Sequence, residues 1–292
     1  MITLFRFSLA ISLITGSSLC AAEDLLNAPP IVSAKSWAVA RDGQVLFSFR
    51  PDSQYPIASL SKIMTALLVL ESTTDLASKT KVSRRADHTF GTTASIQAGE
   101  KLSIEQLLHA LLLPSGNDAA VVLAEYFGRS YQRQPGENFQ TGFVNQMNER
   151  AKELALSNTI FVDPHGLGEN VSSAADLLAL SHTAMQNPRF ARLVSTRQYS
   201  LNIRSPKGEL RAVTWKNTND LLALPYFNGI KTGHSNSAEG CLIISGSYRD
   251  DTLHVVVLGS LNQKTRFIDA QNLFQWALRQ LAEADSSPSE RL

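Results

Sequence analysis

The sequence predicts a mixed α+β fold, in which an antiparallel sheet is flanked by helices and an all-helical lobe is inserted between its strands. Strand-like runs lie near both ends of the chain, and the stretch from about residue 71 to residue 187 is mostly helical in character. The last helix carries an apolar stripe that suits packing on a sheet. Because the helical stretch separates the strands, they must pair across it, which predicts a cleft between sheet and lobe.

The first strands are predicted on either side of Asp42-Gly43. Residues 36–40 and 45–49 are rich in β-prone side chains, and Asp-Gly between two such runs is a strong hairpin signal. A second hairpin is predicted around Arg249-Asp250-Asp251. Strand character in the last third of the chain occurs at 198–203, 209–215, 230–233, 241–248 and 253–261.

The predicted helices begin at capping residues. Ser103, followed by Gln106, and Ser173, followed by Asp176, are typical of N-terminal caps. Helices are predicted at 59–71, 103–114, 118–128, 145–154, 173–185 and 266–284. The final helix could be a membrane anchor, but its polar face mixes both charge signs, so we interpret its apolar stripe as facing a sheet. The stripe consists of Phe267, Ala270, Phe274, Ala277, Leu278 and Leu281.

The composition excludes several classes of protein. The 292 residues are 43% hydrophobic and 18% charged, which suits a globular protein and neither a disordered chain nor a coiled coil. The net charge is +1 and no segment concentrates Lys and Arg, so we expect no nucleic-acid partner. The length suits one large domain or two small ones, and no internal repeat or low-complexity linker divides it.

The first 22 residues have the pattern of a secretory signal peptide. Arg6 precedes a short apolar run, and small residues up to Ala22 follow. We therefore predict export into the periplasm, cleavage after Ala22, and a single domain over 23–292 with no second domain after it and no stable membrane anchor. Cleavage removes Cys20 and leaves Cys241 alone in an apolar run, where we expect a small buried hydrophobe and no disulfide.

Ser59 and Lys62 form the first motif that could carry chemistry. At the start of a helix, positions three apart share a face, so the two side chains are expected to be neighbours. A serine hydroxyl needs a base to become a good nucleophile, and a lysine whose pKa is lowered by burial can be that base. Taken alone the pair is weak evidence, because a helix cap followed by a solvated lysine has the same sequence.

Ser115, Asn117 and Arg266 are further candidate site residues. The first two lie in a predicted break between helices, where a hydroxyl and an amide can line a cleft. Arg266 opens the last helix and could contribute to carboxylate binding. Taken alone, the first two are better explained by a turn followed by a cap, and Arg266 is at least as well explained as a surface arginine.

Lys231-Thr232-Gly233, followed by His234, is predicted on an edge strand. A lysine and a hydroxyl there can bind a carboxylate, and a glycine permits the close approach of a substrate backbone. A peptide ligand could then pair along the strand edge. An ordinary exposed strand end is the alternative interpretation of this motif taken alone.

The combination of motifs decides between these interpretations. Ser-x-x-Lys, Ser-x-Asn and Lys-Thr-Gly in this order are the signature of penicillin-binding proteins and class A β-lactamases, with Gly116 here in place of aspartate. Over roughly residues 33–284 the chain resembles the serine D-alanyl-D-alanine carboxypeptidases, the low-molecular-mass penicillin-binding proteins of peptidase family S11. The resemblance is carried by Ile57–Ala66, Ser115–Ala119 and Gly229–His234, and further by Asp163–Leu167 and Asn217–Asn219.

The resemblance implies a β-lactamase/transpeptidase-like fold and an acyl-enzyme mechanism that needs no cofactor or metal. Ser59 would attack the carbonyl between two terminal D-alanines of a peptidoglycan stem peptide, and Lys62 would accept its proton. Ser115 would relay a proton toward the leaving amine, and Asn117 would hold the substrate amide and orient Lys62. β-Lactam antibiotics would acylate Ser59 by mimicking the same substrate.

The resemblance also implies the substrate-binding residues. Lys231, Thr232 and Arg266 would bind the terminal carboxylate, beside Gly233. The backbone N–H groups of Ser59 and His234 would form the oxyanion hole, where negative charge develops on the carbonyl oxygen.

Related activities stay open at this stage. Many members of the family carry a second, β-rich domain, and short members can act as endopeptidases on cross-linked peptides. A class A β-lactamase would need a glutamate-activated water, but Glu169 and Asn170 follow His165-Gly166-Leu167 without the expected spacing. A metallopeptidase or lipase-like hydrolase lacks support, because neither His-Glu-x-x-His nor Gly-x-Ser-x-Gly occurs.

Overall fold

The computed structural model describes residues 28–72, 74–131, 138–248 and 251–286. The predicted signal peptide, residues 1–22, lies outside the described residues, as do Arg249 and Asp250 of the second predicted hairpin turn. Within the described residues the chain forms a mixed α+β fold, and the predicted fold class is confirmed.

Eleven strands and eight helices occur in the described residues. The strands are β1 Ser36–Arg41, β2 Gln44–Phe49, β3 Tyr55–Pro56, β4 Lys79–Lys81, β5 Lys101–Ser103, β6 Val171–Ser172, β7 Gln198–Arg204, β8 Leu210–Lys216, β9 Phe227–Ser235, β10 Glu239–Tyr248 and β11 Asp251–Ser260. The helices are α1 Lys62–Glu71, α2 Arg84–Asp87, α3 Ile104–Leu112, α4 Asn117–Gly128, α5 Phe139–Glu153, α6 Ala174–Met185, α7 Pro188–Ser195 and α8 Thr265–Ser286. Short 3-10 turns lie at Ala58–Ser61, Arg129–Tyr131 and Asp220–Ala223.

The main sheet has five antiparallel strands in the order β2-β1-β11-β10-β9. The first two come from the predicted N-terminal hairpin, whose Asp42 and Gly43 both have positive φ angles, +48° and +86°. That backbone geometry is the one that lets a two-residue turn follow the twist of the strands. Strands from near both ends of the described residues thus meet in one sheet, and the helical stretch is inserted between them.

The two faces of the sheet pack against different layers. Alternate residues of β11 point to opposite faces: Val255 and Val257 belong to a core with helix α8, whereas Val256 and Leu258 belong to the core shared with the helical lobe. The apolar stripe of α8 is buried or half-buried in the first of these cores. The prediction that this stripe faces a sheet is confirmed. None of the described helices contains a stretch long and apolar enough to cross a membrane.

The structure differs from the sequence prediction in the placement of the β7–β8 hairpin. These strands pair only with each other, with Gln198 opposite Lys216, and form a separate ribbon outside the main sheet. Trp215 of this ribbon is buried against the helical lobe and donates through Nε1 to the carbonyl of Ala94, 2.8 Å away. The ribbon therefore covers one side of the lobe, because its alternate residues find apolar partners there.

Some helix boundaries also differ. Helix α5 begins at Phe139 rather than Asn145, after a cap in which the side chain of Asn138 accepts from the backbone N–H of Gln140. Helix α7 begins at Pro188 after a similar cap by Asn187, and the sequence analysis did not predict it. The capping residues predicted for α3 and α6, Ser103 and Ser173, do cap those helices.

Candidate active site

The Ser59 segment is a tight turn that precedes helix α1, rather than the first turn of that helix. Ser59 lies in the 3-10 turn Ala58–Ser61, and α1 begins at Lys62. Ala58 has a φ angle of +45°, a conformation that is uncommon for a residue with a side chain. The expected neighbour relation is present: Lys62 Nζ lies 2.9 Å from Ser59 Oγ. The hydroxyl and the amine are therefore within hydrogen-bonding distance of each other.

Lys62 is completely buried. Its ammonium donates to the side-chain oxygen of Asn117, 2.7 Å away, and to the backbone carbonyl of His165. Burial lowers the pKa of Lys62 to about 7, against the opposing attraction of the Asp163 and Asp118 carboxylates. A lysine with such a pKa exchanges its proton near neutral pH, as a general base must.

The helical lobe supplies Ser115 and Asn117 at the break between α3 and α4, where the sequence analysis placed them. Ser115 has a φ angle of +64° and its hydroxyl accepts from Lys231 Nζ at 2.9 Å. Asn117 accepts from Lys62 through its carbonyl and donates through its amide to the carbonyl of Phe90, 2.8 Å away. This second bond fixes which end of the Asn117 amide faces Lys62.

Strand β9, at one edge of the main sheet, supplies the opposite wall of the cleft. Lys231 and Thr232 are both buried, and the Thr232 hydroxyl lies 2.6 Å from the hydroxyl of Thr218. Burial and the positive charges of Lys62 and Arg266 hold the pKa of Lys231 well below its ordinary value. The wall thus places Lys231 near two other cationic side chains.

Arg266 is buried at the start of α8 and donates through Nη1 to the carbonyl of Gly233, 2.8 Å away. Its Nε is buried and has no hydrogen-bond partner in the described part of the chain. A Cβ at Gly233 would lie 2.8 Å from the carbonyl oxygen of Ile57. Glycine is therefore required at position 233 because the strand packs closely against the segment before Ser59. The sequence had suggested a different reason, the close approach of a substrate backbone. His234 is exposed, and its Nδ1 lies 3.0 Å from the carbonyl of Glu239.

Comparison with known proteins identifies the family. The D-alanyl-D-alanine carboxypeptidase family model matches residues 24–262. The chain belongs to this family. It is therefore a serine-type peptidase, a hydrolase of the D-alanyl-D-alanine carboxypeptidase class, as the motif combination predicted.

Individual relatives of the carboxypeptidase family agree along most of the chain. It is 32% identical over 285 residues to the D-alanyl-D-alanine carboxypeptidase of Streptomyces sp. (strain K15), covering 91% of this chain and 97% of the relative. It is 32% identical over 261 residues to the D-alanyl-D-alanine endopeptidase of Escherichia coli (strain K12), covering 88% and 80%. The crystal structure of the Streptomyces K15 DD-transpeptidase superposes with a TM-score of 0.82 at 30% identity, covering 86% and 99%.

The loop that contains the Asp163–Leu167 motif forms a third wall of this carboxypeptidase-family site. The loop runs from Asp163 to Asn170, and its His165 carbonyl accepts from Lys62 and lies 3.4 Å from Ser59 Oγ. Its role was missed because the contacting atom belongs to the backbone and carries no residue-type signal. The cluster of turn-forming residues in Asp163-Pro164-His165-Gly166 was the available clue.

Glu169 and Cys241 lie in surroundings that do not suit a catalytic role. Glu169 is exposed on the loop, whereas its neighbour Asn170 is buried and bonded to Asp163. This agrees with Glu169 as a solvated loop residue rather than the base of a class A β-lactamase. Cys241 is buried, and burial raises the pKa of its thiol to about 11. It is the small buried residue that was predicted, and it is not poised as a nucleophile.

Proposed function

We propose that the chain hydrolyses the bond between two terminal D-alanines of peptidoglycan stem peptides, with Ser59 as nucleophile and Lys62 as its base. The contact of 2.9 Å between Lys62 Nζ and Ser59 Oγ carries this proposal. Since burial lowers the pKa of Lys62 to about 7, its neutral amine is well populated at neutral pH and can take the hydroxyl proton. Burying a lysine side chain costs free energy of folding. A role as the base for Ser59 would explain why Lys62 is buried here.

The proposed reaction has two steps. The Ser59 oxygen forms a bond to the substrate carbonyl carbon and its proton passes to Lys62; the carbon–nitrogen bond then breaks, and Lys62 passes the proton through Ser115 to the leaving amine, which leaves Lys62 neutral. Water next attacks the acyl-enzyme carbonyl and gives a proton to Lys62; the ester bond to Ser59 then breaks, Lys62 returns the proton to the Ser59 oxygen, and the shortened peptide leaves. Ser115 suits the relay because its hydroxyl accepts from Lys231 at 2.9 Å. The N–H groups of Ser59 and His234 are the proposed oxyanion donors.

The proposed carboxylate site is supported by its charge. Lys231 and Arg266 are both buried, and the positive charge of Arg266 adds to burial in lowering the pKa of Lys231. Burial also lowers the pKa of Arg266, and the carboxylate of Asp220 only partly opposes it. The Arg266 Nε is buried with no acceptor among the described residues, although buried polar groups are normally satisfied. A carboxylate placed beside Lys231, Thr232 and Arg266 would supply the missing negative charge. We therefore assign the substrate C-terminus to this wall, next to Gly233.

The same site accounts for the proposed partners and location. A β-lactam carries a carboxylate and a strained amide in the arrangement of the D-alanyl-D-alanine end, so it would acylate Ser59 and act as an inhibitor. The substrate lies in the cell wall, which fits the proposed signal peptide over residues 1–22 and a periplasmic catalytic domain over 23–292.

A second candidate activity is D,D-endopeptidase cleavage of peptidoglycan cross-links. A groove of about 770 Å³ borders the proposed carboxylate wall at Arg266 and His234. It is lined by Thr218, Asp220, His234, Asn262, Gln263, Lys264, Arg266 and Phe267. Such a groove has room for the larger leaving group of a cross-linked peptide. One of the relatives, the E. coli protein, is named an endopeptidase.

One experiment separates the two activities. Purified protein is incubated with monomeric pentapeptide and, separately, with cross-linked dimer, and the products are identified by mass spectrometry. Loss of one alanine from the monomer supports the carboxypeptidase, and conversion of dimer to monomers supports the endopeptidase. Ser59→Ala is the matched control and should be inactive on both. If the variant still cleaves, or if it still forms a covalent adduct with labelled penicillin, Ser59 is not the nucleophile.

A further inference from the structure

The loop from Asp163 to Asn170 holds the atom that positions the catalytic lysine. Lys62 Nζ has three acceptors, of which two are side chains, on Ser59 and Asn117, and the third is the backbone carbonyl of His165. The same carbonyl lies 3.4 Å from Ser59 Oγ. Its location therefore determines where the ammonium and the hydroxyl lie relative to each other.

The conformation of this loop is built around the carboxylate of Asp163. The carboxylate accepts from the backbone N–H groups of His165, at 2.9 Å, Gly166 and Gly168. The Asn170 side chain adds a further donor at 3.0 Å. One acidic side chain thus satisfies three backbone N–H groups of the loop, two of them on buried residues, where an unpaired N–H would be costly.

The loop is also docked directly on the nucleophile segment. Gly166 has a φ angle of +92°, and a Cβ there would lie 2.1 Å from the carbonyl oxygen of Ala58. The hydroxyl of Thr65, on the same helix as Lys62, donates to the carbonyl of Pro164 at 2.7 Å. The backbone N–H of Ile57 donates to the carbonyl of Asn170 at 3.1 Å. A shift of the loop is therefore transmitted to both catalytic side chains.

Asp163 also acts on Lys62 through its charge. Burial would raise the pKa of Asp163, but the hydrogen bond and ion pair with His165 and the loop N–H groups lower it overall, so the carboxylate stays ionised. The charged groups that face Lys62 are the carboxylates of Asp163 and Asp118 and the ammonium of Lys231. Of the two carboxylates, Asp163 exerts the stronger attraction.

We propose that Asp163 is a positioning residue for the reaction: its carboxylate shapes the loop that presents the His165 carbonyl to Lys62 and Ser59. The proposal rests on the proposed function, in which Lys62 is the base for Ser59. Asp163 itself touches neither the substrate nor the reacting atoms. It acts through the backbone of the loop and through its field.

The test is Asp163→Asn, assayed by the rate of Ser59 acylation with a fluorescent penicillin as a function of pH. Without the carboxylate, the ammonium of Lys62 is less stabilised, its pKa falls, and the neutral base persists to lower pH. The acid limb of the profile should therefore move down by about one pH unit. The maximal rate should also fall, by roughly 10- to 100-fold, because the loop loses acceptors. The labelled fraction at long times reports how much protein is folded.

Two control variants separate charge from loop structure. Glu169→Gln removes a negative charge from an exposed position on the same loop and should leave both the rate and the acid limb unchanged. Asn170→Ser loosens the loop but keeps the Asp163 charge, so it should lower the rate without moving the limb. An acid limb that stays in place in Asp163→Asn overturns the proposal, whatever happens to the rate. A wild-type protein that is not acylated, or whose profile has no acid limb, instead removes the proposed function.

Discussion

Lys62 and Lys231 face each other across the cleft and are both buried, yet the charged groups around them have opposite signs. Lys62 lies near two carboxylates, on Asp163 and Asp118, which oppose the effect of burial and leave its pKa at about 7. Lys231 has the cations of Lys62 and Arg266 as neighbours, and these add to the effect of burial. Desolvation disfavours both ammonium groups, so the neighbouring charges decide what each lysine can do.

The difference assigns the two walls of the cleft to two tasks. A lysine whose pKa is near neutral can take and return a proton in each catalytic cycle. A lysine surrounded by cations and short of an anion is suited to bind a carboxylate, which restores its charge. The same type of side chain thus has two proposed roles: Lys62 is the base on the helical side, and Lys231 binds the carboxylate on the sheet side.

The largest expected effect comes from replacing Lys62 by arginine. Arginine keeps the positive charge but does not deprotonate in proteins, so it cannot act as a base. We expect Lys62→Arg to reduce the acylation rate by about 10³-fold or more, measured with a fluorescent penicillin. The matched Lys231→Arg keeps an anion-binding charge and should retain far more activity. Equal losses in the two variants would erase the distinction between the walls.

Removing the anion receptor should affect binding more than chemistry. Lys231→Ala should raise KM roughly 10- to 100-fold for a peptide with a free C-terminal carboxylate, because a charge-assisted contact is lost. The same variant should change little for the C-terminally amidated peptide, which has no carboxylate to bind. Steady-state kinetics with both peptides gives the answer. A KM that does not change for the free acid would remove Lys231 from the carboxylate site.

The pH profile tests the other wall. Since the pKa of Lys62 is about 7, the neutral base is lost as pH falls below that value. In the wild type, kcat/KM should therefore rise with pH through about 7, with a slope approaching tenfold per unit on the acid side. Stopped-flow acylation over a series of buffers provides the measurement. A profile without an acid limb would contradict the assignment of Lys62 as the base.

A smaller effect on stability is expected from a buried titratable group outside the cleft. His254 is buried on β11 with its Nε2 unpartnered in the described residues, and burial, together with the charge of His182, lowers its pKa from 6.5 to about 4. The unfolded state then binds more protons between these values, so stability is lost as pH falls.

The expected loss is about 1.5 kcal/mol between about pH 6.5 and pH 5, estimated from linkage. Urea unfolding at the two pH values measures it. His254→Gln removes the titration and should flatten this part of the stability curve, while leaving acylation of Ser59 intact. If the variant has the same pH dependence as the wild type, His254 does not account for it. The comparison shows how burial lowers the pKa of a titratable group that lies outside the proposed active site.

Much of the local structure follows from short stretches of sequence. The Asp42-Gly43 turn, the Ser103 and Ser173 caps and the stripe of α8 were all predicted, because each depends on residues within a few positions of one another. The separate β7–β8 ribbon was not predicted, since an alternating strand pattern does not specify which surface covers it. The start of α5 was missed because the Asn138 cap lies before a weakly apolar turn.

The sequence by itself determined which residues are candidates for the site: Ser59 and Lys62 by their spacing, and Ser115, Asn117 and Lys231 by their motifs. Only the tertiary structure decided how they are arranged and charged. The His165 carbonyl meets Lys62 across 103 positions of sequence, and Lys231 meets Ser115 across 116. Burial and the field of distant charges set a pKa, and neither can be obtained from neighbours along the chain. The Asp163 loop became visible for the same reason, because its contact with Lys62 is made by a backbone atom.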